Sequence, residues 1–281
     1  MASVTLEHVS YTYEPGTPFA VKALDDVSLT VREGSITGII GHTGSGKSTM
    51  VQLFNGLEKP SEGRILLDGK DIWENPSKMR DVRFRVGLVM QYPEYQLFEE
   101  SVRADIAFGP RNMGLSEEEI DARVREAAEI VGLSAEDLEK SPFDLSGGQK
   151  RRAAIAGVMA MRPEVLVLDE PAAGLDPRGR DVILGAVRDY GKKTGATVII
   201  VSHSMEDMAV YCDDVVVMAR AKVFLSGSRD EVFAHAEELR SVGLDVPQIT
   251  HLTLLLAERG IQLPRGIYTV DAALAAIQNL L

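Results

Sequence analysis

The distribution of apolar residues predicts strands in the first third of the chain. Residues 4–6 and 28–31 have the apolar and β-branched character of strands, and the proline- and glycine-containing residues 14–18 predict a turn between them. Residues 36–40 are a continuous apolar run that leads into a glycine-rich loop, and residues 48–54 predict a helix after that loop. The beginning of the chain is therefore expected to be rich in β-structure.

The next two segments differ in character. Residues 61–90 predict further strands, and the second apolar run in this segment is at residues 86–90. Residues 93–162 have mostly helix-forming sequence, and Ser116 with Glu119 predicts a capping box at the start of one helix. We therefore expect residues 93–162 to form a helical subdomain inserted in the first domain.

Apolar strands and helices alternate in the third quarter of the chain. Strands are predicted at Val165–Asp169, Thr197–Val201 and residues 215–218, and helices at residues 177–192 and 204–211. This alternation is typical of an α/β fold, in which a parallel sheet is covered on both faces.

Length, charge and cysteine content limit the possible classes of protein. The 281 residues suffice for a main domain, predicted at residues 1–227, and a mostly helical C-terminal extension at residues 228–281. The net charge of −12 opposes nucleic-acid binding, because the one dense basic cluster, residues 150–152, is short. The single cysteine, Cys212, indicates a reducing compartment. No apolar run approaches the ~20 residues that span a bilayer.

A glycine-rich loop carries the strongest chemical signal. Its spacing, G-x-x-x-x-G-K-[ST], allows backbone N–H groups to surround phosphates, while Lys47 neutralises the β- and γ-phosphates and Ser48 ligates Mg²⁺. The loop lies between an apolar strand and a helix, which is the context this motif requires. His42 occupies an unspecified position of the motif and is expected to face solvent or nucleotide. The predicted ATP-binding residues here are Gly41, His42, Thr43, Gly44, Ser45, Gly46, Lys47, Ser48 and Thr49.

Two acidic residues end the apolar strand Val165–Asp169. Asp169 is placed to hold Mg²⁺, and Glu170 is placed to polarise an attacking water as a general base. A solvated acidic turn would explain the two residues alone, but their combination with the glycine-rich loop favours ATP hydrolysis.

A second glycine-containing segment precedes the helical stretch at residues 150–161. A serine and two glycine amides at a helix N-terminus can bind an anion, and one ATP does not need two such sites in one chain. The segment therefore raises the possibility that it contacts the nucleotide of another subunit. The alternative is an ordinary serine N-cap followed by a glycine turn. The residues concerned are Ser146, Gly147, Gly148 and Gln149, which follow Leu145.

Together with Gln91, the turn at residues 173–176 and His203, these segments resemble the ATP-binding cassette (ABC) ATPases over roughly residues 4–235. The resemblance implies a P-loop NTPase fold with an N-terminal antiparallel β subdomain, the inserted helical subdomain and a mostly helical C-terminal tail. It also implies that two cassettes enclose two ATP molecules. Each ATP is then held by one chain's phosphate loop and by the other chain's Ser146 segment.

The resemblance also implies the roles of single residues. Gln91 is similar to the glutamine that contacts Mg²⁺ and the attacking water and links ATP to the membrane subunit. His203 is similar to the switch histidine that contacts the γ-phosphate, and Asp176 to the residue that connects the two sites across the dimer. Tyr13 stands where this family stacks an aromatic ring on adenine, with Tyr11 as the alternative. The implied Mg²⁺ ligands are Ser48, Gln91 and Asp169.

Residues 91–98 and 105–110 resemble more specifically the ATPases of energy-coupling-factor (ECF) transporters, which import vitamins and transition-metal ions in prokaryotes. Residues 13–19 and 94–99 resemble the second, or A-prime, ATPase subunit of that class. This implies a peripheral position on the cytoplasmic face of the cell membrane. The implied partners are a second ATPase (non-identical, or a copy of this chain), a transmembrane coupling subunit and, indirectly, a substrate-binding membrane subunit.

Two other functions are weighed against this one. An ABC ATPase of another importer is the nearer alternative. A soluble ABC ATPase acting on nucleic acid is opposed by the negative charge, and the short segment between Gln91 and Leu145 has no room for a long coiled coil.

Two apolar segments leave alternatives open. Tyr92, Tyr95, Leu97 and Phe98 suit either a groove for a partner's helix or packing between the sheet and the helical subdomain. The tail has apolar residues at helical spacing, which suit either dimer contact or the closing of the chain's own core. These tail residues are Val232, Leu239, Leu252, Leu255 and Leu256.

Two positions depart from the family resemblance. Ala172 stands where such ATPases often carry threonine, and residues 219–222 lack the glycine expected in a hairpin turn. We expect that turn to be altered. Neither departure affects a predicted catalytic position.

Overall fold

The computed structural model describes residues 2–264 and 266–280, which contain ten strands and twelve α-helices. The outermost residues of the two predicted domains, Met1 and Leu281, lie outside this part of the chain, as does Arg265. The strands are β1 (Val4–Tyr13), β2 (Val21–Val31), β3 (Ile36–Gly41), β4 (Glu62–Leu67), β5 (Lys70–Asp71), β6 (Val86–Val89), β7 (Val165–Asp169), β8 (Thr197–Val201), β9 (Asp214–Ala219) and β10 (Lys222–Ser228). The helices are α1 (Lys47–Phe54), α2 (Met79–Arg85), α3 (Val102–Asn112), α4 (Glu117–Ile130), α5 (Ala135–Glu139), α6 (Gly147–Met159), α7 (Pro177–Thr194), α8 (Met205–Tyr211), α9 (Arg229–Ala234), α10 (Ala236–Ser241), α11 (Gln248–Glu258) and α12 (Val270–Gln278).

The N-terminal strands form an antiparallel sheet, as predicted. Its strand order is β2-β1-β4-β5, and β1 pairs with both β2 and β4. The predicted turn lies between β1 and β2, although both strands extend well beyond the short predicted segments.

The second sheet has the strand order β10-β9-β3-β8-β7-β6. Only β10 is antiparallel to its neighbour, and β9, β3, β8, β7 and β6 all run in the same direction. Because the carboxyl ends of parallel strands meet at one edge, this direction decides where the segments that follow the strands lie.

Alternate residues of the central strands enter two different cores, because side chains of a strand point to opposite faces. In β7, Leu166 and Leu168 pack in the core that contains the buried residues of the helical subdomain, α7 and α8. Val165 and Val167 pack in the core that contains α1 and the antiparallel sheet. Both faces are covered, as predicted, which explains why the strand is apolar throughout.

The prediction of strands alone between residues 61 and 90 is wrong in one part, since α2 lies between β5 and β6. Met79 is buried and Val82 packs against the core, whereas Arg80, Asp81 and Arg83 are exposed. The helix has only seven residues, which is too short for a 3.6-residue periodicity to be visible in the sequence.

The helical subdomain consists of α3 to α6, with short 3-10 helices at Pro93–Gln96 and Pro142–Asp144. Ser116 caps α4 through the predicted box with Glu119. Helix α6 packs against α3, α4 and α7 and also against β6. It is therefore the helix that connects the subdomain to the parallel sheet.

The tail consists of α9 to α12 and divides into two parts. Val232, Phe233 and Leu239 are buried in the same core as one face of the parallel sheet, so α9 and α10 close the chain's own core. Leu252 and Leu255 of α11 are exposed. Within residues 2–264 and 266–280, no helix has both the length and the apolar character needed to cross a bilayer.

The hairpin between β9 and β10 has a two-residue loop, because Ala219 pairs with Lys222. Both loop residues have left-handed backbone, with φ of 50° at Arg220 and 63° at Ala221. This is the conformation that asparagine and glycine favour in tight hairpins. Although no glycine is present, the turn therefore follows the usual backbone path of a two-residue hairpin. Its two loop residues are poorly suited to the left-handed backbone that this path requires.

Replacement of Arg220 by Asn and Ala221 by Gly is expected to stabilise the protein by about 1–2 kcal/mol, because the strain of left-handed backbone is relieved. The midpoint of urea unfolding measures this change. Ala275→Gly in α12 is the matched control, since the same substitution on an exposed helix costs up to about 1 kcal/mol. A turn variant that unfolds at or below the parent's midpoint would contradict the prediction.

Candidate active site

Four segments predicted to carry chemistry meet at the carboxyl edge of the parallel sheet. The phosphate loop follows β3, Gln91 follows β6, Asp169 ends β7 and His203 follows β8. These strands are mutual neighbours in parallel register. The sheet therefore brings together residues that are up to 162 positions apart (203 minus 41).

The phosphate loop wraps tightly because two glycines have no Cβ. A Cβ on Gly46 would lie 2.3 Å from the backbone oxygen of Ala23, and one on Gly41 would lie 2.3 Å from that of Met218. Gly44 has left-handed backbone as well, but among the described residues other than its two chain neighbours, no atom lies within 4 Å of its Cβ position. Two glycines are thus required by close approach of backbone, and the third only by its φ angle of 81°.

Lys47 begins α1 and turns back over the loop. Its Nζ donates to the carbonyl oxygens of Gly41, at 2.6 Å, and His42, at 2.9 Å. Burial lowers the pKa of Lys47, while Glu170 and Asp169 act in the opposite direction. A cation that is held by two carbonyl oxygens at a helix N-terminus is well placed to bind an anion.

The acids at the end of β7 have separate partners. Asp169 lies beside the Ser48 hydroxyl, and Glu170 Oε1 lies 2.7 Å from Nδ1 of His203. Burial raises the pKa of both carboxyl groups, and the neighbouring Ser48 hydroxyl and the bond to His203, respectively, oppose this shift. A raised pKa suits a general base, because it makes the carboxylate a better proton acceptor near neutral pH.

Glu170 has a left-handed backbone with φ of 51°, although it is not a glycine. Its N–H donates to the carbonyl of Val201 at 2.9 Å, and its carbonyl accepts from the N–H of Ala173 at 3.2 Å. The residue that follows β7 is thereby hydrogen-bonded to the end of β8, the strand that precedes His203. Strained backbone at a position of this kind is typical of functional sites.

The two candidate tyrosines at the end of β1 differ in their partners. Tyr13 lies beside the phosphate loop, with its hydroxyl 3.0 Å from Oγ1 of Thr49, and is 38% exposed. Tyr11 donates to Glu58 at 2.6 Å, and burial together with this bond raises its pKa to about 12. The ring of Tyr11 packs edge-on against Tyr13. Tyr13 is therefore the tyrosine that is available to a ligand.

The Ser146 segment begins α6. Ser146 is the N-cap, and its Oγ accepts from the N–H of Gln149. Gly147 and Gly148 have no left-handed backbone, and within the described chain no atom outside the neighbouring residues and the helix's own backbone lies within 4 Å of either Cβ position. The fold of this chain alone does not require glycine at these two positions.

Asp176 caps α7, since its Oδ1 accepts from the N–H of Gly179 at 2.6 Å. Gln91 is exposed two residues after β6. Beyond Gln91, Leu97 and Phe98 line an apolar groove of about 300 Å³, together with Phe108 and Gly157.

The sequence alone is compatible with either a groove or core packing at Tyr92, Tyr95, Leu97 and Phe98. Leu97 lines the groove and also packs against the core, whereas Phe98 is 60% exposed along the groove. Tyr92 and Tyr95 are exposed outside the groove.

His42 makes a contact that was not expected from the sequence. Its Nε2 lies 2.7 Å from the carbonyl oxygen of Val242, and Gly243 packs against its ring. The phosphate loop is thus attached to the C-terminal extension. No sequence pattern indicates this contact, since the two residues are 200 positions apart.

Comparisons with known proteins identify the family of the chain. The family model described as ABC transporter matches residues 24–173. The energy-coupling factor transporter ATP-binding protein EcfA2 of Clostridium acetobutylicum is 54% identical over 99% of this chain and 98% of its own length. The protein of the same name from Symbiobacterium thermophilum is 54% identical over 99% of this chain and 96% of its own length. The chain belongs to the energy-coupling factor transporter ATP-binding proteins, a group of ABC ATPases.

Solved structures of ABC ATPases have the same fold. That of cbiO1 from Clostridium perfringens, described as part of the ABC transporter complex cbiONQ, has a TM-score of 0.76 and 43% identity, and covers 89% of this chain and 97% of its own. The dimeric cassette MJ0796, solved in a post-hydrolysis state with ADP and Pi, has a TM-score of 0.72 and 27% identity, over 80% of this chain and 98% of its own. The predicted fold class and the ABC ATPase activity, with ATP as its nucleotide, are therefore confirmed.

The loop of this ABC ATPase allows a test of its packing. Gly46→Ala is expected to destabilise the protein clearly more than Gly44→Ala, which costs about 1–2 kcal/mol through backbone strain alone. Both glycines have positive φ, so the difference isolates the clash with the Ala23 carbonyl. Thermal and urea unfolding of the two variants measure it. Equal unfolding midpoints for both variants would show that the loop is not held at this distance.

Proposed function

We propose that the chain is the ATP-hydrolysing subunit of an energy-coupling factor transporter and powers uptake of a vitamin or a transition-metal ion across the cell membrane. The observation that carries the catalytic part is the pair of Glu170 and His203, 2.7 Å apart and beside the phosphate loop on one sheet edge. The names of the full-length relatives support the transport part.

In this proposal ATP lies over the N-terminus of α1. The loop from Gly41 to Thr49 surrounds its phosphates with backbone N–H groups, and Lys47 neutralises them. Tyr13 stacks on the adenine. Ser48, Asp169 and Gln91 would hold Mg²⁺, since they supply the hydroxyl, carboxylate and amide oxygens that this ion prefers. When bound, Mg²⁺ neutralises charge on the β- and γ-phosphates.

Hydrolysis then depends on three side chains of this chain. Glu170 accepts a proton from the attacking water, and Gln91 orients that water. His203 holds Glu170 through its Nδ1, which leaves Nε2 for the γ-phosphate. The raised pKa of Glu170 and its fixed orientation both favour a general base.

The site is completed by another chain. Gly147 and Gly148 are not needed by the fold of this chain, so their lack of side chains points to close approach from outside. We propose that Ser146, Gly147, Gly148 and Gln149 contact the ATP bound by a second ATPase. Asp176, at the start of α7, connects the two sites across this dimer.

The second ATPase is either a non-identical subunit or a copy of this chain. We propose that exposed apolar residues of α11, such as Leu252 and Leu255, take part in that dimer, while α9 and α10 belong to the chain's own core. Residues 1–227 then form the ATP-binding domain, and residues 228–281 the extension.

The groove beside Phe98 and Phe108 fits a helix of a transmembrane coupling subunit, because it is apolar and follows Gln91 directly. That subunit connects the ATPase to a separate substrate-binding membrane protein. The chain then lies at the cytoplasmic face of the membrane as a peripheral subunit. No nucleic acid is needed, in keeping with the net charge of −12.

Glu170→Gln is expected to lower ATP turnover about 10²- to 10⁴-fold, the range for loss of a general base. ATP binding should persist, because Lys47 and Ser48 are unchanged. Turnover by the ATPase pair and binding of a fluorescent ATP analogue are the measurements. Glu129→Gln, on the exposed side of α4, is the control and should behave as the parent. Unchanged turnover in Glu170→Gln would rule out the role of Glu170.

The divided site predicts a dependence on protein concentration. A dilute, monomeric sample should hydrolyse ATP slowly, because each phosphate loop needs a Ser146 segment from a second chain. Ser146→Arg, assembled with the second ATPase, should reduce hydrolysis at the partner's site while this chain's own loop still binds ATP. Ultracentrifugation paired with turnover tests the first point. Constant specific activity in a strictly monomeric sample would contradict a shared site.

A further inference from the structure

Arg151 is a charged residue inside the molecule that the proposed roles do not use. It lies in α6 and is 4% exposed. Its guanidinium forms a bidentate ion pair with Glu94, in which Nη2 lies 2.7 Å from Oε1 and Nε lies 3.0 Å from Oε2. Its Nη1 donates to the carbonyl oxygen of Ala173. A fixed planar guanidinium can hold such a set of partners, which the ammonium of lysine cannot.

The two partners belong to different functional segments. Glu94 lies in the 3-10 helix Pro93–Gln96, between Gln91 and the groove. Ala173 lies in the turn after Glu170, and its own N–H donates to the Glu170 carbonyl at 3.2 Å. Arg151 is therefore bonded at the same time to the segment beside the groove and to the turn that follows the proposed general base.

Arg151 also belongs to the helix that presents the Ser146 segment. Ser146 is the N-cap of α6, and Ala153, Ala154 and Gly157 of the same helix line the groove. A helix partner that enters the groove would thus press on α6 and on the segment that holds Glu94. Both are connected by the pair of Arg151 and Glu94.

The Glu94 side chain is 17% exposed, so the pair is shielded from solvent. Burial pushes the pKa of Glu94 upward, but the hydrogen bond from Arg151 brings it below its usual value. The ionised pair is thereby favoured. A shielded ion pair contributes little to the net free energy of unfolding, but it requires a strict geometry. It is therefore suited to connect two segments that move.

We propose that Arg151 is a positioning residue that connects occupation of the groove to the Glu170 turn and to the Ser146 segment. The partner in the groove then controls hydrolysis at both ATP sites through one side chain. This inference rests on the proposed function, because it takes the groove as the contact for the transmembrane subunit.

The test compares ATP turnover of the ATPase pair alone and in the assembled complex with its transmembrane subunit. Arg151→Lys keeps the positive charge but cannot form the bidentate hydrogen bonds to Glu94. We expect it to reduce the stimulation by the transmembrane subunit about 2- to 30-fold, the range for residues that couple two sites. The KM for ATP should stay within about twofold, because the phosphate loop is intact.

Three further variants sharpen the comparison. Glu94→Gln should cause a similar loss, and the double variant should lose little more than either single one, since both changes break one connection. Arg103→Lys is the matched control, because Arg103 bonds to Asp121 and Glu139 in the same subdomain without contact to the groove or the motifs. Stimulation at the parent's level in Arg151→Lys would overturn the proposal. An equal loss with and without the transmembrane subunit would do the same, because it indicates a merely structural role.

Hydrogen–deuterium exchange separates this proposal from the proposed function. In the full chain, Arg151→Lys should speed exchange at the N–H groups of Ala173 and Leu175, which bond within the Glu170 turn, and Arg103→Lys should not. If the transmembrane subunit fails to stimulate the parent, the transport proposal fails, and exchange alone decides whether Arg151 holds the turn. Unchanged exchange in Arg151→Lys would then overturn the positioning role.

Discussion

The parallel alignment of β3, β8, β7 and β6 is the constraint on which the rest of this structure depends. Because these strands run in one direction, the phosphate loop before Lys47, the acids at the end of β7 and His203 all lie at one edge of the sheet. Both faces of the sheet are covered by apolar cores, so the strand positions cannot shift without loss of packing. The site inherits its rigidity from the sheet, although most of its residues lie in loops.

At this edge of the sheet, burial and neighbouring charges act in opposite directions on the ionisable side chains. Lys47, Asp169 and Glu170 are each shifted by burial away from the charged form, and each is opposed by a neighbour. A ligand that carries both phosphate and a cation would stabilise the charged forms of these residues, because it brings an anion to the lysine and a cation to the carboxylates. The backbone of the loop offers the phosphate contacts, and the Ser48 and Asp169 oxygens offer the cation contacts. This arrangement supports our proposal that ATP binds together with Mg²⁺.

Helix α6 has three uses in one element. Its N-terminus presents the Ser146 segment, its small residues line the groove, and its buried Arg151 bonds to segments on both sides. The C-terminal extension adds a further connection, because the Val242 carbonyl meets His42 in the phosphate loop. The ATP site is thus connected to the groove through α6 and to the C-terminal extension through His42.

The amino-acid sequence by itself determined the chemical motifs, the α/β class, the helical insertion and the membership in the ABC ATPases. These depend on short spacings and local periodicity, which a linear pattern records directly. Tertiary structure alone decided that Tyr13 and not Tyr11 is available, because Glu58 occupies Tyr11 from 47 positions away. It also decided the short helix α2, the contact of His42 with Val242 and the bonds of Arg151. The physical reason is that each depends on packing between segments distant in sequence, or on a helix too short to have a period of its own.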